Sequence, residues 1–496
     1  MTIISILLFS ILISFGLGIL FAARKYNQKQ LLKIPVFIAS AVFILFLPIE
    51  LKVLQTGPIA IISNNLLFDA LAIYHILLVN IIFLVTSIYS VGYFRKHAEK
   101  HGEYNVSFVR RYTILWQLFH LLLLVVLMSN NIGLMWVALE ATTLISAFLI
   151  IQPSNPLSIE AMWKYLIVCS VGIAFGFMGT ILTVAASDNN ITEPIFLFTQ
   201  LVEHADLINP KLMLLAFIFI VVGFGTKSGL SPMHTWLPDA HSQAPTPVSA
   251  VFSGVMLNCA FFGIMRYMPI TELAMGNEGH ARSILLALGI ISVIFAVIFI
   301  PMQHDVKRLL AYCSVEHIGI IAIGLGLGGI GTFAALLHIV NHSFSKVLAF
   351  FSAGYISEEY GTRDMRKIKA AIQHMPMWGT TFFIAMLILI GVAPFAIFFS
   401  EFLIMKEAFF SGRYIIIIFF MIATIAIFIS ILKLVLDVSF GINSKTKIQK
   451  EKVGHIIKSI IIAMFFVLLL LGLWIPSPFS DFLKSATDIV QNGAKL

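Results

Sequence analysis

The chain has 496 residues, of which 59% are apolar and only 11% are Asp, Glu, Lys or Arg. A soluble domain carries about 25% charged residues, so this chain cannot cover a large globule with a hydrated surface. Disorder is excluded as well, because it requires low hydrophobicity. A polytopic membrane protein remains, and at about 20 residues per helical span the length allows a dozen spans or more. The net charge of +8 indicates membrane topology rather than nucleic-acid binding, because the basic residues cluster in alternate loops.

Apolar stretches recur along the chain, separated by polar breaks. They predict an all-α polytopic membrane protein of about 14 transmembrane helices. The predicted spans cover 2–23, 33–51, 67–94, 112–130, 131–151, 161–186, 211–231, 245–268, 282–302, 308–327, 331–356, 376–408, 412–437 and 455–475.

The basic residues favour the loops that follow spans 1, 3, 9, 11 and 13. By the positive-inside rule these odd-numbered loops are cytoplasmic and both termini lie outside. The bases in question are Arg24, Lys25, Lys29, Arg95, Lys96, Lys100, Arg110, Arg111, Lys307, Arg308, Arg363, Arg366, Lys367, Lys369, Lys445, Lys447, Lys450 and Lys452.

Two of the predicted spans are interrupted. The seventh breaks at 227–232 and re-enters through 234–239, and the twelfth breaks at 391–394 and continues through 400–402. Paired broken helices at matching places in two halves are typical of inverted repeats with a transport site at the breaks. Spans 4–8 and 9–13 are therefore predicted to form two inverted five-helix repeats.

An ionisable residue inside a predicted span costs about 2.5 kcal/mol or more at the helix centre, and seven such residues are candidates for a function. Such groups face the protein interior, a partner charge or water. We call them the buried row and expect them to relay protons; they are Glu140, Lys227, His317, His338, His342, Lys346 and Glu401.

Each member of the buried row also has a purely structural interpretation. Glu140 can belong to a structural ion pair, Lys227 can cap carbonyls freed at its helix break, and His317 can donate to a backbone carbonyl. His338 and His342 have an i, i+4 metal spacing, but no third ligand is nearby in the sequence, so no metal site is predicted.

Three further features suggest structural roles. Glu160 and Lys164 are predicted to form an i, i+4 ion pair. Arg266 and Arg282 are predicted to snorkel near helix ends. The glycines of 324–329 match a dinucleotide-binding pattern, but they end one span and precede another, so a tight loop is predicted instead.

The three cysteines are Cys169, Cys259 and Cys313, all inside apolar segments. They form no CxxC or Cys/His cluster of the spacing that iron–sulfur or zinc sites use. We therefore expect no cofactor in this chain and place any redox chemistry on partner subunits.

Several long motifs resemble the antiporter-like subunits of respiratory complex I and related membrane-bound hydrogenases. The Glu-Ala-Thr-Thr and Ser-Val-Glu-His variants are most similar to the hydrogenase-4 component F branch of that family. The motifs lie at 136–144 (WVALEATTL), 225–250 (GTKSGLSPMHTWLPDAHSQAPTPVSA), 305–319 (DVKRLLAYCSVEHIG), 338–346 (HIVNHSFSK) and 398–402 (FFSEF).

The resemblance implies roles for individual residues. Glu140 and Lys227 match the charge pair of the first half, and His342 and Lys346 match the histidine and central lysine of the second half. Glu401 matches the residue at the second broken helix that is taken to gate ion exit.

One position departs from the family pattern. Asn258 stands where relatives carry a lysine in the eighth span. A direct proton carrier is therefore missing between the halves.

The resemblance also implies an organisation and a function. We expect a three-span region over 1–111, an antiporter-like core with the last span over 112–475, and a short tail over 476–496. The expected function is proton translocation, or sodium translocation, by a subunit without a catalytic centre of its own. Membrane and peripheral partner subunits would carry out electron transfer, in a bacterial-type cytoplasmic membrane.

Three alternatives remain open from the sequence. The chain can be a subunit of a multi-subunit cation/proton antiporter, an energy-coupling subunit for uptake of a small substrate, or an inert membrane anchor.

Overall fold

The computed structural model describes residues 3–24, 26–101, 105–151, 155–188, 195–442 and 453–495. Several bases of the predicted cytoplasmic loops lie outside these residues, namely Lys25, Lys445, Lys447, Lys450 and Lys452.

The N-terminal region contains three long helices and one small hairpin that the sequence did not predict. The strands β1 (Ile59–Ile61) and β2 (Leu66–Phe68) pair antiparallel between the second and third helices. The helices are α1 (Ile3–Ala23), α2 (Gln28–Thr56) and α3 (Ala70–His101).

The first five-span unit contains the first broken helix. A π-helical turn, Phe252–Met256, joins α10 to α11 and makes them one span. The helices are α4 (Val106–Met128), α5 (Ile132–Ile150), α6 (Pro156–Asp188), α7 (Phe198–Glu203), α8 (Pro210–Ser228), α9 (Trp236–Gln243), α10 (Thr246–Val251) and α11 (Leu257–Ala274).

The second unit has the corresponding order, and two more helices follow it. Its helices are α12 (His280–Phe299), α13 (Val306–Leu327), α14 (Gly329–Tyr360), α15 (Ala371–His374), α16 (Pro376–Leu389), α17 (Ala396–Phe410) and α18 (Tyr414–Phe440). The helices after it are α19 (His455–Leu473) and α20 (Ser477–Asn492).

Thirteen helices of the described residues are long and apolar enough to cross a membrane. The short helices α16 and α17 together make the remaining predicted span. The prediction of an all-α polytopic membrane protein with about 14 spans is confirmed.

The odd-numbered loops meet at one face of the bundle. Arg110, near the start of α4, donates to the carbonyl of Arg24 in the loop after α1 (3.3 Å). Lys96 pairs with Glu359, and the Met365 amide donates to the His304 carbonyl (2.9 Å). The basic loops therefore lie on a common side; which side of the membrane this is stays a prediction.

The even-numbered loops meet at the opposite face. The Asn130 amide donates to the Asn65 carbonyl (2.8 Å), and the Phe198 amide donates to the Asn130 carbonyl (2.8 Å). Helix α4 therefore begins at the odd-loop face, whereas α12, five spans later, begins at the even-loop face. Equivalent helices of the two units run in opposite directions, as inverted repeats require.

The centre of the bundle is formed by the span that ends in α11, together with α13 and α14. The most apolar stretch of that span is completely buried, and the corresponding stretches of α13 and α14 are 94% buried. Helices α1, α18 and α19 are less than one third buried, and their exposed apolar faces suit contact with lipid. The most deeply buried helices therefore come from both units.

The segment predicted as a tail contains an amphipathic helix. Leu483, Ala486 and Val490 of α20 are buried, and the helix packs on α3, α11 and α14. Gln491 donates to the carbonyl of Gly329 (3.0 Å). Helix α20 therefore lies at the even-loop face and contacts both units.

Arg266 does not snorkel, and that prediction is wrong. It is 4% exposed and forms two hydrogen bonds, of 2.5 and 2.8 Å, with the carboxylate of Asp69. Asp69 is fully buried and also accepts the amide of Ala72 at the start of α3. A buried guanidinium with a bidentate partner has no reason to extend to the membrane surface.

Two other structural predictions agree with the fold. Lys164 pairs with Glu160 at 2.7 Å on the surface of α6. The glycine pattern of 324–329 ends α13 and starts α14, with Gly328 and Gly329 at positive φ. It is a tight connection between helices.

Candidate functional site

The first broken helix satisfies its freed backbone groups with protein groups. Helix α8 ends at Ser228, and Gly229 adopts φ +82°. The Ser231 amide donates to the Ser292 hydroxyl (2.9 Å), and the Trp236 indole donates to the Thr226 carbonyl (2.9 Å). Irregular backbone at membrane depth requires such partners, because lipid offers none.

Lys227 lies in the last turn of α8 and is completely buried. Its ammonium donates to the Thr143 hydroxyl (2.6 Å) and to the Tyr165 hydroxyl (3.0 Å). Tyr165 in turn hydrogen-bonds Ser146 (2.6 Å). Lys227 therefore does not cap the helix break; neutral hydroxyls hold its charge.

Glu140 and Lys227 do not form a direct ion pair. Glu140 is half-buried on α5, and its Oε1 accepts a hydrogen bond from Ser170 of α6 (2.9 Å). No carboxylate lies within 4.0 Å of the Lys227 ammonium among the described side chains. Thr143, one helical turn from Glu140 on α5, accepts a hydrogen bond from Lys227, so the ammonium contacts a hydroxyl of this helix and not the carboxylate.

Glu140 also borders an exposed surface of the bundle. Val137 and Leu144, on the same face of α5, are 54% and 49% exposed. The Oε2 atom of Glu140 is buried but has no hydrogen-bond partner. One oxygen of this carboxylate is thus available to a further group.

Lys346 is the completely buried lysine of the second unit. Its ammonium donates to the carbonyl of Leu310 on α13 (2.7 Å). Glu316, also on α13 and 3% exposed, interacts electrostatically with Lys346 and with Glu401. The second unit therefore contains two buried carboxylates and one buried ammonium close enough to influence one another.

A group of three buried histidines on α13 and α14 extends to the second broken helix. His317 Nδ1 lies 2.9 Å from His338 Nε2, and His338 Nδ1 lies 2.9 Å from the Ser400 hydroxyl. The ring of His342 is 5.0 Å from that of His317, and both of its nitrogens are buried without partners. Ser400 precedes Glu401 on α17, so the chain of contacts ends at the break.

The hydrogen bonds that join His317, His338 and Ser400 can form in either of two donor–acceptor directions. If Ser400 donates to a backbone carbonyl, His338 donates to Ser400 and His317 donates to His338. If Ser400 donates to His338, each of these bonds reverses, and His317 Nε2 carries a proton facing the Leu389 carbonyl without hydrogen-bond geometry. Two interchangeable patterns of this kind are what a proton relay needs.

Glu401 faces the turn that interrupts the twelfth span. It is 8% exposed, and a Cβ added at Gly391, which has φ +72°, would lie 2.6 Å from its Oε2. The positive φ favours glycine at 391, and the Glu401 carboxylate lies directly beside this turn.

Asn258 supplies a polar but non-titrating link between the units. Its amide donates to the Gly254 carbonyl (2.8 Å) and to the Ser343 hydroxyl (3.1 Å). Ser343 is adjacent to His342 on α14. The π-helical turn at Phe252–Met256 contains the Gly254 carbonyl, which also accepts from Ser343 (2.5 Å).

Sequence reasoning missed Glu316, Tyr165 and Ser400. Glu316 was detectable, because it is an acid inside an apolar span and directly precedes His317. Tyr165 and Ser400 offered no comparable signal, since buried hydroxyls are common in membrane helices and only the fold brings these two to Lys227 and His338.

Comparisons with known proteins agree with this geometry. Residues 129–429 match the family described as NADH:quinone oxidoreductase/Mrp antiporter, TM. A hydrogenase-4 component F homolog of Methylacidiphilum infernorum is 38% identical over 346 residues, which are 69% of this chain and 72% of that protein. The Na(+)/H(+) antiporter subunit A1 of Staphylococcus aureus is 30% identical over 71% of this chain and 43% of its own length.

A solved structure shares the fold over almost the whole chain. It is that of the membrane-bound sulfane sulfur reductase, an archaeal respiratory membrane complex, with a TM-score of 0.86, 21% identity and coverage of 99% of this chain and 98% of that chain. The match over residues 129–429, more than half of the chain, shows that the chain belongs to the NADH:quinone oxidoreductase/Mrp antiporter transmembrane family.

Proposed function

We propose that this chain is the proton-translocating subunit of a redox-driven membrane complex. The observation that carries the proposal is the buried row itself. It runs from Glu140 and Lys227 in the first unit to Lys346 and Glu401 in the second, and hydroxyl, amide and imidazole groups lie between its charges. Charges at this depth cost several kcal/mol, and an inert anchor would gain nothing from them.

Electron transfer in partner subunits would provide the energy. A change of charge near Glu140 would alter the balance between Glu140 and Lys227 across the Thr143 and Tyr165 hydroxyls. The proton released would pass through the region of Asn258 to the second unit, where water has to bridge the amide.

The hydrogenase-4 component F homolog supports a redox partner. The hydroxyl and imidazole groups of the row favour protons over sodium ions as the cargo. We place the odd-numbered loops in the cytoplasm and both termini outside, on the distribution of Lys and Arg.

Glu401 is proposed as the exit group of the row. Its carboxylate faces the helix break at Gly391, where backbone groups need polar partners. Glu401→Gln should block proton release while partner electron transfer continues in part, and Glu401→Asp should retain some release. Glu407→Gln, on the same helix, is the matched control, since the Gln side chain still accepts the Ile330 amide as Glu407 does (3.0 Å).

The second candidate is a subunit of a multi-subunit cation/proton antiporter. The similarity to the antiporter subunit of Staphylococcus aureus favours it. Purification of the chain in mild detergent with its native partners separates the two. Hydrogenase or quinone-reductase subunits in the purified complex would support the first proposal, and antiporter subunits without a redox centre would overturn it.

A further inference from the structure

A cluster of metal-binding side chains lies at the second broken helix. We call it the His–Glu cluster; it consists of His317 on α13, His338 on α14 and Glu401 on α17. One donor atom from each residue lies within 4.8 Å of the other two, and all three side chains are buried. In the sequence, His338 and His342 had no third ligand nearby. In the fold, His338 meets two ligands from other helices, and His342 is not part of the cluster.

We infer that the His–Glu cluster is a binding site for a divalent transition-metal ion, and we assign it to Zn²⁺. Two imidazoles and one carboxylate are the donor set of several three-ligand zinc sites that keep a fourth position for water. The absence of a thiolate and the small number of oxygens disfavour Cu⁺, Ca²⁺ and Mg²⁺.

The spacing of the donor atoms suits this ion after small side-chain rotations. Two nitrogens bound to one tetrahedral Zn²⁺ are separated by about 3.3 Å, given Zn–N distances of about 2.0–2.1 Å. The present separation of His317 Nδ1 and His338 Nε2 is 2.9 Å. Separations of up to 4.8 Å must close by about 1.5 Å, which a flexible Glu401 side chain can supply.

The surroundings support the bound state. The Ser400 hydroxyl lies 2.9 Å from His338 Nδ1 and would orient the ring, as second-shell partners of metal-bound histidines do. With His317 Nδ1 and His338 Nε2 bound to the ion, His317 Nε2 would carry the ring proton, which faces the Leu389 carbonyl.

The charge of the ion is matched by nearby acids. Glu316 and Glu401 are both buried and interact with each other electrostatically. A divalent cation bound to Glu401 would favour the ionised form of both carboxylates, because opposite charges attract strongly in an apolar interior. Glu401 is the most exposed member of the cluster and faces the helix break, which gives the ion an entry path.

Metal binding is tested on the full chain without a polyhistidine tag, purified in detergent. Co²⁺ alone is the probe, because its visible absorption reports tetrahedral coordination, and Zn²⁺ should then displace it. We expect one Co²⁺ per chain, at least about tenfold weaker binding in His317→Gln, His338→Gln and Glu401→Gln, and about 10- to 100-fold weaker binding in Ser400→Ala.

The control is His120→Gln, which alters a buried histidine that hydrogen-bonds Asn80 (2.9 Å) outside the cluster. It should bind Co²⁺ like the unmodified chain. The proposal is overturned if the unmodified chain shows no tetrahedral Co²⁺ spectrum, or if all three ligand variants keep its affinity. The unmodified chain and Ser400→Ala keep the test decisive if a ligand variant does not fold.

A bound ion would also occupy lone pairs that the proton relay uses, and this consequence rests on the proposed function. Zn²⁺ should then inhibit proton release from vesicles containing the whole complex. Co²⁺ binding without inhibition would leave the metal site standing and would remove the histidines from the proposed proton path. Inhibition by Zn²⁺ of the proton release that His317→Gln and His338→Gln retain would place the inhibitory ion elsewhere.

Discussion

Replacing Asp69 by Asn should destabilise the chain because it leaves the Arg266 guanidinium buried without a counter-charge. Asp69 and Arg266 are 0% and 4% exposed, and two hydrogen bonds join them. Removing one partner of a buried ion pair costs about 3–5 kcal/mol. The Asn oxygen still accepts one hydrogen bond, so we expect a loss near 3 kcal/mol.

The chain carries its own probes for this measurement. Cys169, Cys259 and Cys313 are free and buried, and Cys259 lies two helical turns before Arg266 on α11. A thiol-reactive dye that fluoresces on labelling therefore reports thermal unfolding directly. Asp69→Asn should expose the cysteines at a temperature several degrees below that of the unmodified chain.

The matched control is Asp305→Asn. Asp305 makes an ion pair of 3.5 Å with Arg363 in which the side chains are 26% and 38% exposed. A surface pair contributes less than about 1 kcal/mol, and Asn serves the start of α13 equally well. Equal unfolding temperatures for the two variants would refute the reasoning about Arg266, as would full stability in Asp69→Asn.

Three further results are expected. Tyr165→Phe should lower proton release per electron, because the Lys227 ammonium loses one of its two hydroxyl partners; a wild-type ratio in vesicles would show that this hydroxyl is idle. Glu316→Gln should lower the same ratio without preventing assembly, and gel filtration of the complex is the check on assembly; normal pumping would remove Glu316 from the path. Asn258→Leu should reduce proton release more than electron transfer, since it removes the polar link between the units, and equal reduction of both rates would indicate a folding defect instead.

The spans and the two helix breaks were predictable because they depend on local composition. Long apolar runs define helices in a membrane, and the Pro and Gly residues at 229–232 and 391–394 mark the breaks within a few positions. The relative direction of the two units follows from the number of spans between them. None of these features requires knowledge of distant contacts.

The side-chain partners were not predictable for the opposite reason. Asp69 and Arg266 are 197 positions apart, so sequence reasoning saw a lone arginine near a helix end and assigned it to the surface. Similarly, the resemblance matched Glu140 and Lys227 to a charge pair, whereas in the structure Ser170 donates to Glu140 and Lys227 donates to Thr143. A hydroxyl side chain can replace an opposite charge as the hydrogen-bond partner of a buried charge. Serine, threonine and tyrosine are too common in a sequence to mark such a partner.

The members of the buried row were predictable from one rule: an ionisable group in an apolar span is costly and is therefore usually functional. Applied fully, the rule would also have included Glu316. It could not have found the assembly of His317, His338 and Glu401, since these ligands come from three separate helices.

The most direct measurement compares proton release with electron flux in vesicles that contain the whole complex. The variant is Lys227→Met, and Lys164→Met is the control, because Lys164 is an exposed lysine of neighbouring α6 whose pairs with Glu160 and Asp239 lie at the surface. If the buried row carries the protons, Lys227→Met lowers the number of protons released per electron while electron transfer persists, and Lys164→Met leaves that number unchanged. An unchanged ratio in Lys227→Met would contradict the proposed function.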